Sequence, residues 1–122
     1  MFTVPQVLEI HHQAIEIHGG SNGIRDLEGL ESAIARPFQT FGGENLYPTH
    51  IERSAAIIES IIMNHPFIDG NKRTGYILGR LIMLLADSDF IASEDEKYQF
   101  VIDVSTGTFR FEEIVEWIKS HS

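Results

Sequence analysis

Residues 65–75, HPFIDGNKRTG, gather a histidine, an aspartate, a lysine and an arginine around Gly70-Asn71. The chain on either side is almost wholly apolar, with AAIIESIIM before and YILGRLIMLLA after. If both flanks are helices, the polar run is their connection, and Asn71 or its neighbour opens the second helix. A helix N-terminus presents unpaired N–H groups and the positive end of the dipole, which makes it an anion site. Gly70 removes the Cβ that would keep a phosphate away from that backbone. Lys72 and Arg73 then fall in the first turn, where the dipole disfavours cations, so their placement costs stability unless an anion offsets it. Asp69 supplies a hard oxygen ligand, and Mg²⁺ is usually held by one or two carboxylates together with substrate phosphates. His65 can take a proton near neutral pH. Base, metal ligand and anion cradle together describe phosphoryl or nucleotidyl transfer, a chemistry of positioning and charge neutralisation. Pro66 and Phe67 are expected to fix the loop, with Phe67 as its buried anchor. Taken singly these residues have ordinary explanations, since a histidine between helices is commonly packed and Asp-Gly-Asn is commonly a turn. The joint arrangement is much less easily explained by packing.

The elements that must position this run are mostly helical. PQVLEIHHQAIEIHGG puts Val7, Leu8, His11, Ile15 and His18 on one face, and Gly19-Gly20 is a stop signal. A shorter helix is expected from Asp26, its N-cap, to Arg36, with Leu27, Leu30 and Ile34 on one side. Pro37 should end it by pushing Arg36 out of the helical region. FQTFGGENLY, residues 38–47, alternates loosely around Gly42-Gly43 and predicts a short hairpin or flap. Thr49 and Glu52 have capping-box spacing ahead of a helix to about Asn64. There Ile51, Ala55, Ile58 and Ile62 make one stripe, which Ile57 and Ile61 widen. A helix apolar around most of its girth belongs in the middle of a bundle. Residues 71–87 have the same character. Ser93 and Glu96 open a further helix through about Val104, and Phe111–Ser120 is amphipathic with Ile114, Val115 and Ile118 inward. The expected fold is all-α: about six helices, with one flap before the two central ones and little strand.

Composition bounds the function. The chain has 122 residues, 43% hydrophobic and 10% aromatic, enough for one domain with a core. Cysteine is absent, which excludes disulfides and thiolate metal sites and fits a reducing cytoplasm. No export signal is visible after Met1, and the longest apolar run contains Arg80 and is short of the ~20 residues of a membrane span. Neither membrane nor nucleic acid is expected as a partner: the net charge is −9, and Lys72-Arg73 is the only adjacent basic pair. His11, His12 and His18 lack the i, i+4 pairing of a zinc helix. His11 and His18 are instead expected in the core or an interface. A ribonuclease would need a wider basic surface than Lys72-Arg73 offers.

The run resembles the motif of the Fic/Doc superfamily, His-x-Phe-x-(Asp/Glu)-Gly-Asn-(Gly/Lys)-Arg, with every specified position filled by His65, Phe67, Asp69, Gly70, Asn71, Lys72 and Arg73. The Lys-Arg-Thr ending is similar to the death-on-curing (Doc) branch, and GGSNGIRDLEGLESAIARP at 19–37 resembles the segment that precedes the flap there. The resemblance implies that His65 is the base acting on a target hydroxyl, that Asp69 holds Mg²⁺, and that Gly70, Asn71, Lys72 and Arg73 hold the phosphates of ATP. It implies that a flap at Phe38, Gln39, Thr40 and Phe41 pins a target polypeptide as an added strand. It further implies a toxin kinase acting on elongation factor Tu, restrained by an antitoxin chain. Protein AMP transfer is the alternative, as in Fic enzymes, and a non-enzymatic helical adaptor is the rival from another class. Fic enzymes carry a second arginine three residues after the first, where this chain has Tyr76. Gly70, where Doc has alanine, keeps AMP transfer open. TFGGEN at 40–45 formally matches the Fic inhibitory pattern, but that pattern works from a helix, which Gly42-Gly43 would break.

Overall fold

A computed structural model describes all 122 residues, Met1–Ser122. Six helices and one hairpin follow in order: α1 Val4–His18, α2 Leu27–Ala35, β1 Thr40–Phe41, β2 Glu44–Asn45, α3 His50–Asn64, α4 Asn71–Leu85, α5 Glu94–Ser105 and α6 Phe111–Ser120. The architecture is the expected all-α bundle with a short hairpin. Side-chain caps start most helices where the sequence suggests. Asp26 accepts from the Gly29 N–H at 2.9 Å, and Ser93 and Glu96 form a complete capping box. At Thr49 the box is half made: its hydroxyl accepts from the Glu52 N–H at 3.2 Å but donates to the Glu52 carboxylate at 2.8 Å.

Helix α3 is central because it is buried without interruption from Ser54 to Ile62. Ile58 and Ile62 face a cluster with Phe100, Val104, Ile114, Trp117 and Ile118 of α5 and α6. Ile57 and Ile61 face the opposite cluster, with Val7 of α1, Leu30 and Ile34 of α2, and Phe67. Each fully buried isoleucine contributes about 1.5–3 kcal/mol of transfer free energy, so α3 holds both halves together. Helix α4 lies against it through Gly75 and Gly79, one turn apart. A Cβ on Gly75 would stand 2.9 Å from Ile62 Cγ1, and one on Gly79 would stand 2.5 Å from Ile58 Cγ1. The Ser54 hydroxyl donates to the Gly79 carbonyl across this contact at 2.9 Å.

The hairpin pairs Thr40 with Asn45 and Phe41 with Glu44. Its two-residue turn, Gly42-Gly43, has positive φ at both positions (59° and 83°), the backbone that matches strand twist. TFGGEN is therefore hairpin and not helix.

Several boundaries differ from expectation. Arg36 keeps helical angles (φ −51°, ψ −47°), and α2 runs into a 3₁₀ turn at Arg36–Phe38 despite Pro37. The Arg36 side chain holds it there, bonded to Tyr47, Glu59 and Ser60 at 2.9 Å each. Leu27, in the first turn of α2, is 49% exposed, whereas Leu30 and Ile34 are buried. His18 is exposed at the end of α1, unlike His11. Helix α4 stops at Leu85, where Asp87 turns left-handed (φ 58°) and the Ser88 N–H closes on the Met83 carbonyl at 2.9 Å. No helix is long and apolar enough to cross a membrane.

Candidate functional site

The loop between α3 and α4 is built from both of its ends. His65 ends α3 in the left-handed region (φ 52°, ψ 52°), a conformation that a non-glycine residue keeps only when its surroundings enforce it. The enforcement comes from the segment after α1. The Arg25 guanidinium donates to the carbonyls of His65 (2.7 Å) and Asn64 (2.8 Å), a cation against the negative end of α3. The Arg25 and Asp26 N–H groups both donate to the Pro66 carbonyl at 2.7 and 3.0 Å, and the Ile68 N–H donates to Gly23 at 3.1 Å. Ile24 and Phe67 form an isolated bridge. The His65 side chain is left exposed, with no hydrogen-bond or ion-pair partner.

Phe67 is fully buried, as a loop anchor should be. Its backbone is clamped from within the loop: its N–H donates to Asn71 Oδ1 at 2.9 Å, and Asn71 Nδ2 donates to its carbonyl at 3.0 Å. Asn71 is 3% exposed, so its side chain is spent on the loop and only its backbone N–H can serve an anion. The Gly70 reading also changes. Gly70 has φ 79°, and a Cβ there would point at Ile15 (3.2 Å) and His11 (3.5 Å), toward α1. Glycine suits this left-handed turn, and the Cβ it lacks would face α1.

Asp69 is exposed. One carboxylate oxygen accepts from the Gly70 N–H at 2.9 Å and the other from the Ser21 N–H at 3.2 Å. Gly20 is closely packed there, since a Cβ on it would stand 2.7 Å from Asp69 Oδ2. Each oxygen keeps a free lone pair, so the carboxylate can still ligate. There is no group of three or more His, Cys, Asp or Glu that could hold a metal by protein groups alone. This donor set fits Mg²⁺ carried largely by substrate phosphates and does not fit a dedicated metal cage.

Beyond Asp69, α4 has no side-chain cap, and its first internal bond runs from the Thr74 N–H to the Gly70 carbonyl at 2.9 Å. The N–H groups of Asn71, Lys72 and Arg73 therefore stand at an open helix end. Seven of the nine basic side chains have partners. Arg25 holds carbonyls, Arg36 and Arg110 hold Glu59, and Arg80 holds Asp89. Arg53 bonds the Tyr47 carbonyl, Lys97 covers the Tyr76 ring, and Lys119 pairs with Glu116. Lys72 and Arg73 are exposed and have none.

Tyr76 does not face this end of α4. Its ring packs on Phe90 (5.2 Å) and Phe100 (6.3 Å), and burial pushes its hydroxyl pKa up. The hairpin is tied to α3 and not to the loop. Arg36 Nε donates to the Tyr47 hydroxyl at 2.9 Å, and Arg53 donates to the Tyr47 carbonyl at 3.0 Å while lying over Phe38. Burial would lower the Arg36 pKa, but its bonds to Tyr47 and Glu59 outweigh that and raise it. Of the flap residues, Gln39, Thr40 and Phe41 are exposed, whereas Phe38 sits half-buried in the 3₁₀ turn. Phe38 also lines an apolar groove of about 620 Å³ with Phe2, Pro5, Ile10, Ile82 and Leu85, away from residues 65–73.

The supports at Arg25 and His11 carry no local sequence signal for these roles. Arg25 sits in a glycine-rich loop, and His11 reads as one more apolar-face residue.

Comparison with known proteins agrees with this loop. A model described as the Fic/DOC family matches residues 1–83, which contain α1–α3, the hairpin, the motif loop and most of α4. The chain is 36% identical over 83 residues to a protein named Toxin Doc from Mycolicibacterium smegmatis. That alignment covers 63% of this chain and 64% of the relative, so the match spans somewhat under two thirds of the relative's length. With the family match covering more than half of its length and the full motif set between two central helices, this chain belongs to the Fic/DOC family.

Proposed function

We propose that the chain is the toxin of a toxin–antitoxin pair, and that it moves the γ-phosphoryl group of ATP to a hydroxyl of a protein target, elongation factor Tu by family resemblance, blocking translation. The observation that carries this reading is the open end of α4. Three N–H groups and two cations, all without partners, in a protein of net charge −9, stand beside an exposed carboxylate and an exposed histidine. In this reading His65 accepts the proton of the target hydroxyl as its oxygen bonds to the γ-phosphorus. The bond from that phosphorus to the β–γ bridging oxygen breaks, and ADP leaves. Asp69 would hold Mg²⁺, which when bound neutralises phosphate charge. Lys72, Arg73 and the N–H groups of residues 71–73 hold the remaining phosphates. The exposed strand Thr40–Phe41 with Gln39 offers an edge to an extended target segment. An antitoxin would dock by a short helix near Arg73.

Transfer of the γ-phosphate is favoured over AMP transfer by two features of α4. Lys72 stands where Fic enzymes carry glycine, which in this reading leaves less room for a deeper phosphate, and the position one turn beyond Arg73 is occupied by a core tyrosine and not a second cation. ATP labelled separately at the α or γ phosphate, incubated with a bacterial lysate, tests this directly. Label is expected on a protein from γ-labelled ATP alone, and strong α-label would move the assignment to AMP transfer. Lys72→Gly should weaken the γ-signal. A partner arginine at position 76 is not a fair probe, because it would force a charge into the aromatic cluster. A helical adaptor would bind no Mg-ATP at all.

A further inference from the structure

His11 belongs to α1, far from the motif in sequence, yet it is 3% exposed and built into the motif loop. Its ring stacks on Phe67 with centroids 3.8 Å apart and planes 7° from parallel. Its Nε2 lies 2.8 Å from the Asp69 carbonyl oxygen. A carbonyl only accepts, so Nε2 carries the proton and donates. The contact therefore fixes the peptide plane between Asp69 and Gly70, the plane that separates the carboxylate from the open helix end. Fixing that plane fixes the N–H of Gly70, which in turn holds Asp69 Oδ1 at 2.9 Å. Phenylalanine at position 11 could stack without donating, and glutamine could donate without stacking. Packing alone explains an apolar ring there. It does not explain a ring whose one polar edge meets the carbonyl of the candidate metal ligand.

We propose that His11 is a positioning residue, which holds the Asp69–Gly70 peptide so that the carboxylate and the α4 N–H groups meet one bound Mg-nucleotide. The inference rests on the reading of Asp69 and the α4 end given above, and its test separates the two. His11→Phe and His11→Gln are compared with the wild-type chain in two measurements. The first is amide hydrogen exchange in the free protein, which needs no nucleotide. His11→Phe is expected to speed exchange at Gly70 about tenfold, on the order of one lost hydrogen bond, while amides in the middle of α3 keep their rates. His11→Gln is expected to remain within about threefold of wild type, because it retains a donor. The second is calorimetric binding of a non-hydrolysable ATP analogue with Mg²⁺, where His11→Phe should lose about tenfold in affinity and His11→Gln should recover most of it. Unchanged Gly70 exchange in His11→Phe overturns the proposal, as does an equal loss in both variants, which would mark His11 as packing only. If His11→Phe does not fold, a tenfold loss of affinity in folded His11→Gln overturns it. A wild-type chain that binds no Mg-nucleotide overturns the reading of the site instead, and the exchange result still decides the positioning role.

Discussion

At the scale of single residues, exposure separates the residues of the proposed chemistry from those that support them. His65 and Asp69 are exposed, whereas Phe67 and Asn71 are buried and hold the loop. His65→Ala is accordingly expected to lower phosphoryl transfer by about 10²–10⁴-fold, the usual worth of a general base, with the denaturation midpoint nearly unchanged. Wild-type turnover in that variant would remove His65 from its role. Asp69→Ala should abolish the Mg²⁺ dependence of nucleotide binding in calorimetry, and a variant still binding Mg-ATP normally would rule out Asp69 as the ligand. Asn71→Ala should behave differently, because it strands the buried Phe67 N–H and carbonyl. Each unsatisfied group costs about 1–3 kcal/mol, so urea denaturation should show a loss of at least ~2 kcal/mol. A stable but inactive Asn71→Ala would instead return its side chain to the phosphates.

At the scale of elements, the closeness of α3 and α4 decides where the loop stands. Gly75 and Gly79 receive Ile62 and Ile58, and no larger residue fits at Gly79 without displacing the Ile58 branch. Gly79→Ala gains about 1 kcal/mol of helix propensity but forces a misfit of the usual ~1–3 kcal/mol, so a net loss of stability is expected in urea denaturation. A more stable Gly79→Ala would mean that the helices can separate freely. The hairpin depends on a second contact of α3, a half-buried ion pair that holds Arg36. Glu59 of α3 is 6% exposed and is satisfied by Arg36 at 2.9 Å and Arg110 at 3.0 Å. Glu59→Ala leaves the half-buried Arg36 without its carboxylate. The expected cost is below the ~3–5 kcal/mol of a fully buried broken pair, because Arg110 is largely exposed and can be rehydrated.

At the scale of the whole molecule, the charge balance directs the choice of partner. Eighteen acidic residues against nine basic ones make the surface repel nucleic acid, and the two cations without partners lie together at one helix end. In the proposed reading that end is taken by the phosphates of ATP. Expression of the chain alone is expected to slow bacterial growth, and co-expression of a neighbouring small open reading frame should relieve it. Harmless expression of a catalytically active protein would argue against the toxin reading.

The amino-acid sequence determined the helices and the clustering of reactive groups at 65–73, because both are local. Caps such as Asp26 and Ser93 act within three residues, and the apolar stripes of α3 follow the helical repeat. The candidate base, the carboxylate and the two cations lie within nine consecutive residues, so their nearness needed no folding to be read. Tertiary structure alone decided what holds them. His11 reaches Asp69 across 58 positions, Arg25 reaches His65 across 40, and Arg36 reaches Glu59 across 23. No spacing rule encodes such pairs, since each exists only after α1, α2 and α3 have packed. The same packing turned the Asn71 amide inward onto Phe67 and aimed the vacant Cβ direction of Gly70 at α1. Residue type limits which bonds a side chain can form, and the packed neighbours decide which of them it forms.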